Sequence, residues 1–335
     1  MRYARQIKLR ELGKNGQALI SKAKVLVIGA GGLGCPVLQY LVGAGVGEIC
    51  IVDQDKVSLS NLQRQILFTE KNIGQNKAIV AKENLQKLNS EIEIVAVQEN
   101  INKENALELI QDVNCVIDGS DNFSTKYLVN DVCASLGIPL VQGSIHQWSG
   151  QLGVYHINGK GDLRDLFPMP PQEEPPTCEE EGILGPVAGI MGSAMALEAI
   201  KIIGNLNPEF HFSTYNGLEN SWTNLKFEPL EREEVDFLNT DYDFYCRTND
   251  PWMIMNEINR DIYFTVDVRE EYEIEKKKEG VLYLPLGLLQ TDFNESLLDG
   301  KIPLFTCENG SRSMAAANWY RKEFKEEAYY LKEDE

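Results

Sequence analysis

A handful of residues in the first 125 positions are spaced for phosphate chemistry. Gly29, Gly31, Gly32 and Gly34 form a Gly-x-Gly-x-x-Gly run directly after the apolar stretch Val25-Leu26-Val27-Ile28. Such glycines permit a tight turn and let backbone N–H groups approach a phosphate, while the helix N-terminus that follows adds partial positive charge. Asp53 closes the next apolar run, about 20 residues on, where a carboxylate accepts from ribose hydroxyls. Asn61 and Arg64 are three apart, hence neighbours on a helical face, with Gln65 beside them. Lys77 follows Gly74-Gln75-Asn76 and opens another helical pattern. One Arg, one Lys and an amide suit a triphosphate better than a nicotinamide. Asp121, in Asp118-Gly119-Ser120-Asp121-Asn122, offers one carboxylate to Mg²⁺, the coordination that ion takes beside phosphates.

The elements that must position these residues alternate. Apolar β-favouring runs at 25–28, 48–52, 93–97, 115–118 and 139–143 are separated by helical patterns from about 34, and around 77–88, 103–110 and 125–136. The alternation predicts an α/β, doubly wound Rossmann-like sheet with ligands at the carboxyl ends of its strands, where Gly29, Asp53 and the 118–122 segment fall. Residues 1–20 read as partly helical. A Pro/Glu-rich run at 167–176 reads as a surface loop delivering Cys178, and a Gly-punctuated helix extends from 182 to about 203. The expected division is an ATP-binding domain at 1–230, an acidic linker at 231–248 and a smaller α/β domain at 249–335.

With 335 residues and 43% hydrophobic content, the chain has enough apolar material for two cores. A formal charge of −19 argues against nucleic acid or an anionic membrane as main partner. No run reaches about 18 apolar residues, and seven scattered cysteines fit free thiols. A reducing cytoplasm is therefore the expected location.

Taken in order, Arg2-Tyr3-Ala4-Arg5-Gln6, Gly29–Gly34, Asp53-Gln54-Asp55, the 58–65 segment Ser-Leu-Ser-Asn-Leu-Gln-Arg-Gln, Gly74-Gln75-Asn76-Lys77 and Asp121-Asn122 resemble the MoeB/ThiF/HesA family. These are prokaryotic relatives of ubiquitin-activating enzymes. The resemblance covers roughly 1–230 and implies ATP- and Mg²⁺-dependent adenylation of the C-terminal Gly-Gly of a ubiquitin-like sulfur carrier. By position it makes Asp53 the ribose ligand and Asn61, Arg64 and Lys77 the phosphate ligands. Asp121 becomes the metal-linked aspartate, and Arg5 the arginine that reaches the partner's site in a homodimer. It leaves the carrier and pathway open among molybdopterin, thiamine, thiolated tRNA and sulfur-amino-acid synthesis.

Two cysteines, one in the Pro/Glu-rich loop and one in a later strand-to-helix loop, are candidates for chemistry. Some family members use the cysteine corresponding to Cys178 for a thioester or acyl-disulfide link; here Glu179, Glu180 and Glu181 oppose thiolate formation. Many members also bind zinc through two Cys-x-x-Cys pairs, but this chain has no such pair, so no structural zinc is expected. Further on, the segments at 266–270 and 282–286, and Cys307-Glu308-Asn309-Gly310-Ser311-Arg312, resemble a rhodanese domain. In that Cys-x-x-Gly-x-Arg loop, backbone N–H groups and a helix N-terminus stabilise a thiolate or persulfide, implying a sulfur donor such as a cysteine desulfurase. From the glycine run and Asp53 alone, an NAD-dependent oxidoreductase is the rival reading. It leaves Arg5, Asn61, Arg64, Lys77 and the tail unexplained. A second alternative is an adenylating enzyme whose rhodanese-like domain serves only for docking.

Overall fold

The central apolar runs become strands because their alternate side chains are buried on both faces. In β1 (Lys24–Ile28), Val25 and Val27 enter one core while Leu26 and Ile28 enter the other. The computed structural model describes residues 2–170, 182–225, 227–229, 235–240, 242, 252–253, 262–269, 273–274, 276–278, 280–298, 300–307, 311–324 and 328–331. It divides into two units, Met1–Phe244 and Tyr245–Glu335.

In the first unit β2 (Glu48–Val52), β3 (Glu93–Val97), β4 (Cys115–Asp118) and β5 (Leu140–His146) join β1 in parallel, in the order β3-β2-β1-β4-β5. Two short helices, α1 (Ala4–Ile7) and α2 (Gly13–Ile20), precede the sheet. The crossover helices are α3 (Gly34–Ala44), α4 (Lys77–Leu88), α5 (Ala106–Ile110) and α6 (Phe123–Leu136). Asn76 and Asn122 cap α4 and α6, accepting from the Ile79 and Thr125 amides. The strand order reverses direction at the β1/β4 pair, where Ile28 faces Asp118. Ligands of such sheets bind at that switch point.

Beyond β5 the sheet turns antiparallel through β6 (Ser149–Tyr155), β7 (His211–Asn216) and β8 (Ser221–Leu225). These strands carry polar and glycine residues in place of continuous apolar runs, so the search for buried parallel strands passes over them. The short α7 (Leu163–Leu166) and the long α8 (Gly185–Ile203) lie between β6 and β7. α8 is long and apolar enough to cross a membrane, yet its Met191, Met195 and Ala199 are fully buried in the first unit's core. It packs there against α3 and β5.

The second unit is a five-stranded parallel sheet, β11-β10-β12-β13-β9. Its strands are β9 (Trp252–Met253), β10 (Tyr263–Asp267), β11 (Val281–Tyr283), β12 (Ile302–Thr306) and β13 (Tyr329–Leu331). The short α9 (Leu289–Asp292) and α10 (Ser311–Phe324) complete it. Phe293 packs edge-on against Trp319 and Tyr320 over Val266 and Phe305.

Candidate functional site

Gly29 leaves β1 at φ +86°, a left-handed conformation that side chains resist, and its amide donates to the Val52 carbonyl at 2.9 Å. A Cβ on Gly34 would overlap the Gly29 carbonyl oxygen, so the turn closes only with glycine there. Over Gly31 the space is open, with the Gln65 amide nitrogen as nearest neighbour at 3.7 Å from where a Cβ would sit. Gly32 faces the Arg64 stem at 3.4 Å. Arg64 therefore lies against the turn, with Nη1 donating to the Ser60 carbonyl at 3.1 Å. Asn61 is buried beside it.

Asp53 is nearly enclosed and each of its oxygens meets a backbone amide: Ala30 at 2.7 Å and Asp55 at 2.8 Å. Burial pushes its pKa up, while Lys77 and those two amides pull against the rise. Asp53 thus braces the turn as well as facing the nucleotide side. Lys77 opens α4 with 8% of its side chain exposed, and its Nζ meets the Asp55 carboxylate at 2.8 Å. Asn76 fixes this corner by donating to the carbonyls of Asp53 and Asp55 at 3.1 and 3.2 Å.

Across the switch point, Asp118 is fully buried under the loop that carries Asp121. It accepts from the Ser120 amide at 2.8 Å and from Gln142 Nε2 at 2.9 Å, with Lys126 Nζ at 3.8 Å. Asp121 itself is exposed, just before the cap of α6. Asp118, Lys126, Gln142 and Asp55 are functional supports that the sequence reading left unassigned. Asp55 had a signal in the Asp-x-Asp after β2; the others come from elements that only the fold brings together.

Two buried polar atoms beside the turn, Gln65 Oε1 and Ser120 Oγ, have no hydrogen-bond partner among the described residues. Orphaned polar atoms beside an open glycine turn are what a nucleotide's own polar groups would satisfy. The residues present therefore fit ATP.

The structure gathers Gly29, Gly31, Gly32, Gly34, Asp53, Asn61, Arg64, Gln65 and Lys77 around one turn, with Asp121 at the end of the adjacent strand. Arg5 is elsewhere. Its helix is tied to the far end of α3, where Gln6 donates to the Ala44 carbonyl at 2.7 Å and Tyr3 packs over Gly45. Eleven helical residues, about 16 Å of rise, separate that end from the glycine turn. Cys178 lies outside the described residues.

In the second unit, Cys307 follows β12 and is buried. The Ser313 amide, in the first turn of α10, donates to its Sγ at 3.3 Å, and the Ser313 hydroxyl lies at 3.4 Å. Arg312 forms a two-pronged pair with Glu273 at 2.7 and 2.8 Å, and Arg269 donates to both oxygens of Asp267, from Nε at 3.0 Å and Nη2 at 2.7 Å. Among the described residues no group of three or more His, Cys, Asp or Glu side chains gathers as a metal site.

Residues 3–236 match the ThiF family. A sulfur carrier protein adenylyltransferase of Thermus thermophilus is 42% identical over 255 residues, covering 70% of this chain and 94% of the relative. The adenylyltransferase and sulfurtransferase MOCS3 of Xenopus laevis is 40% identical over 285 residues, 82% of this chain and 62% of its own length. The match to the Aedes aegypti MOCS3 spans 54% of that protein. This chain thus spans less than two thirds of those two relatives. Among solved structures, Escherichia coli MccB with ATP superposes with a TM-score of 0.60 at 26% identity, over 68% of this chain and 72% of that one.

Proposed function

This chain belongs to the ThiF family, and from that premise we propose that it adenylates the C-terminal Gly-Gly of a ubiquitin-like sulfur carrier and then replaces the adenylate with sulfur. One observation carries the reading: Arg64 and the nearly buried Lys77 flank an open glycine turn whose walls hold two orphaned polar atoms. The carrier carboxylate attacks the α-phosphorus of ATP, forming an O–P bond as the bond to pyrophosphate breaks. That carboxylate is already ionised at neutral pH, so no general base is needed. The barrier is charge repulsion, which Arg64 and Lys77 lower from fixed positions. Asp121 would hold Mg²⁺, which neutralises charge on the departing pyrophosphate.

Arg5 cannot serve its own turn, so it serves the neighbour's in a homodimer. The surface between α3 and α8 supports this, with a 720 Å³ depression lined by Pro36, Pro186 and the exposed Tyr40, Ile66 and Ile190. A second copy seated there lies next to Gln65 and the start of α3.

Sulfur enters at Cys307. Its thiolate takes the terminal sulfur of a donor persulfide, such as that of a cysteine desulfurase, whose own thiolate departs. The Cys307 persulfide attacks the acyl carbon and releases AMP. A second thiolate, Cys178, then attacks the Cys307 sulfur, freeing the thiocarboxylate and leaving a disulfide that a cellular dithiol reduces. Such chemistry belongs in a reducing cytoplasm, and neither nucleic acid nor membrane has a part in it. The test is carrier-dependent exchange of label between pyrophosphate and ATP. Exchange is expected with ATP and carrier together; tight binding of NAD with no exchange would overturn the reading.

A further inference from the structure

The loop after β4 carries a hydroxyl that no described residue engages. Ser120 Oγ is buried, and among the described residues it has no hydrogen-bond partner. An unpaired buried hydroxyl is costly, so one held in a fixed loop calls for a partner. The loop is fixed. The Gly119 amide donates to the Ile28 carbonyl at 2.9 Å, and the Ser120 amide to Asp118 Oδ1 at 2.8 Å. Two residues on, Asn122 caps α6 by accepting from the Thr125 amide at 2.8 Å. Asp118 is engaged on both oxygens, the second by Gln142 Nε2 at 2.9 Å. Ser120 is thus pinned by its backbone while its side chain stays uncommitted.

This loop presses on the first residue of the glycine turn. A Cβ on Gly29 would stand 3.2 Å from the Gly119 carbonyl oxygen and 3.7 Å from the Ser120 nitrogen. At the next residue, the Ala30 amide donates to Asp53 at 2.7 Å. Arg64 lies further along the turn, against Gly32. With a ribose on Asp53, the phosphate esterified to that ribose falls at the Gly29 end, and the outer phosphates run toward Arg64. The two orphaned atoms also differ in chemistry. Gln65 Oε1 only accepts, which suits a ribose hydroxyl or an adenine amine. Ser120 can donate, and a phosphate oxygen is a strong acceptor.

We propose that the Ser120 hydroxyl donates to a non-bridging oxygen of the α-phosphate of ATP, the phosphorus that the carrier carboxylate attacks. The proton stays on Ser120 throughout. A donor fixed in place before the nucleotide arrives needs no reorganisation as charge builds on those oxygens. The proposal rests on the adenylation reading above, and its test separates the two.

Ser120→Ala is compared with the unaltered full chain by calorimetry, using ATP, AMP and adenosine with magnesium present. A hydrogen bond to a charged group is worth about tenfold or more in affinity. ATP and AMP should each bind the variant at least about tenfold more weakly, and adenosine as before. No weakening, weakening of all three, or weakening of ATP but not AMP overturns the α-phosphate contact. The second measurement needs no ligand. Removing an unpaired hydroxyl should leave the melting temperature of the nucleotide-free protein unchanged or higher. A lower melting temperature would reveal a partner for Ser120 inside the protein, a buried water included, and overturn the proposal. Failure of the unaltered protein to bind either nucleotide would overturn the adenylation reading and the contact with it. Loss of the contrast in a protein that does bind ATP overturns the Ser120 contact alone.

Discussion

At the glycine turn, Lys77 leans on Asp55, a carboxylate 61% exposed, through a single contact at 2.8 Å. At Cys307, Arg312 is held by Glu273 through two parallel bonds, with Glu273 largely covered. A single contact to an exposed partner contributes at most about 1 kcal/mol and exchanges readily for a polyphosphate. A bidentate guanidinium–carboxylate pair is directional and far harder to displace. Among the described residues, the first unit thus leaves Lys77 loosely paired, while Arg269 and Arg312 of the second are held by carboxylates. On the proposed function that contrast suits substrates of different charge, a polyphosphate in one site and a sulfur carried on a thiol in the other.

The largest contrast should appear among the sulfurs. Burial pushes the thiols of Cys35 and Cys115 up to about 12, and that of the half-buried Cys50 to about 11. Burial raises the Cys133 thiol well above the ordinary range as well. At pH 8 only about 10⁻⁴ of Cys35 would be thiolate, against roughly a quarter of an ordinary thiol near 8.5. Alkylation of the native protein should therefore leave Cys35 over 10³-fold slower than in urea, with its rate rising tenfold per pH unit. Cys307 should be labelled first among the described cysteines. If Cys35 is labelled as fast as Cys307, burial does not keep the core thiols of the first unit out of the sulfur chemistry.

Next in size is the cradle. Lys77→Met or Arg64→Ala removes a fixed charge facing the transition state, worth ~3 kcal/mol or about 10²-fold in exchange rate. Persulfide loading of Cys307 should not change. A variant that loses both activities together would show that the two units do not work separately.

Mixing Arg5→Ala with Arg64→Ala protein probes the same cradle across the dimer. Half the dimers formed at random are hybrids with one intact site, so activity should return to about a quarter of wild type. Activity that stays at the level of the separate variants, or a monomer by light scattering, would count against a shared site.

The cradle was legible because its residues follow strand ends in chain order: glycines after β1, Asp53 after β2 and Asp121 after β4. Short-range chemistry of that kind survives in a sequence. The strand end at Asp118 was legible, but its contacts with Lys126 and Gln142 were not, since a strand end, a helix start and the next strand meet only when the sheet orders itself β1-β4-β5. The antiparallel half escaped for a related reason: Gly150 and Gly153 make room for Met191 and Tyr155, a packing demand that looks like a broken strand on the page. Tyr242 escaped because an acidic stretch disguises the few residues that fasten it, Phe237 and Tyr242 in the core and Thr240 on Lys103.

The smallest expected effect bears on the comparison most directly. If Glu273 is what keeps Arg312 from serving an anionic donor, Glu273→Gln should free the guanidinium without enlarging the pocket. Thiosulfate is the probe: the Cys307 thiolate takes its outer sulfur, a persulfide forms and sulfite leaves. Releasing one partly exposed guanidinium is worth ~1 kcal/mol, so KM for thiosulfate should fall about fivefold while kcat holds. Methanethiosulfonate donates the same sulfur with one charge fewer and should gain less. An equal gain for both donors would mean that the substitution acts by loosening the loop rather than by charge. No gain for either would mean that the paired arginine does not decide which donor Cys307 accepts, and the charge contrast between the two sites would then have no functional reach.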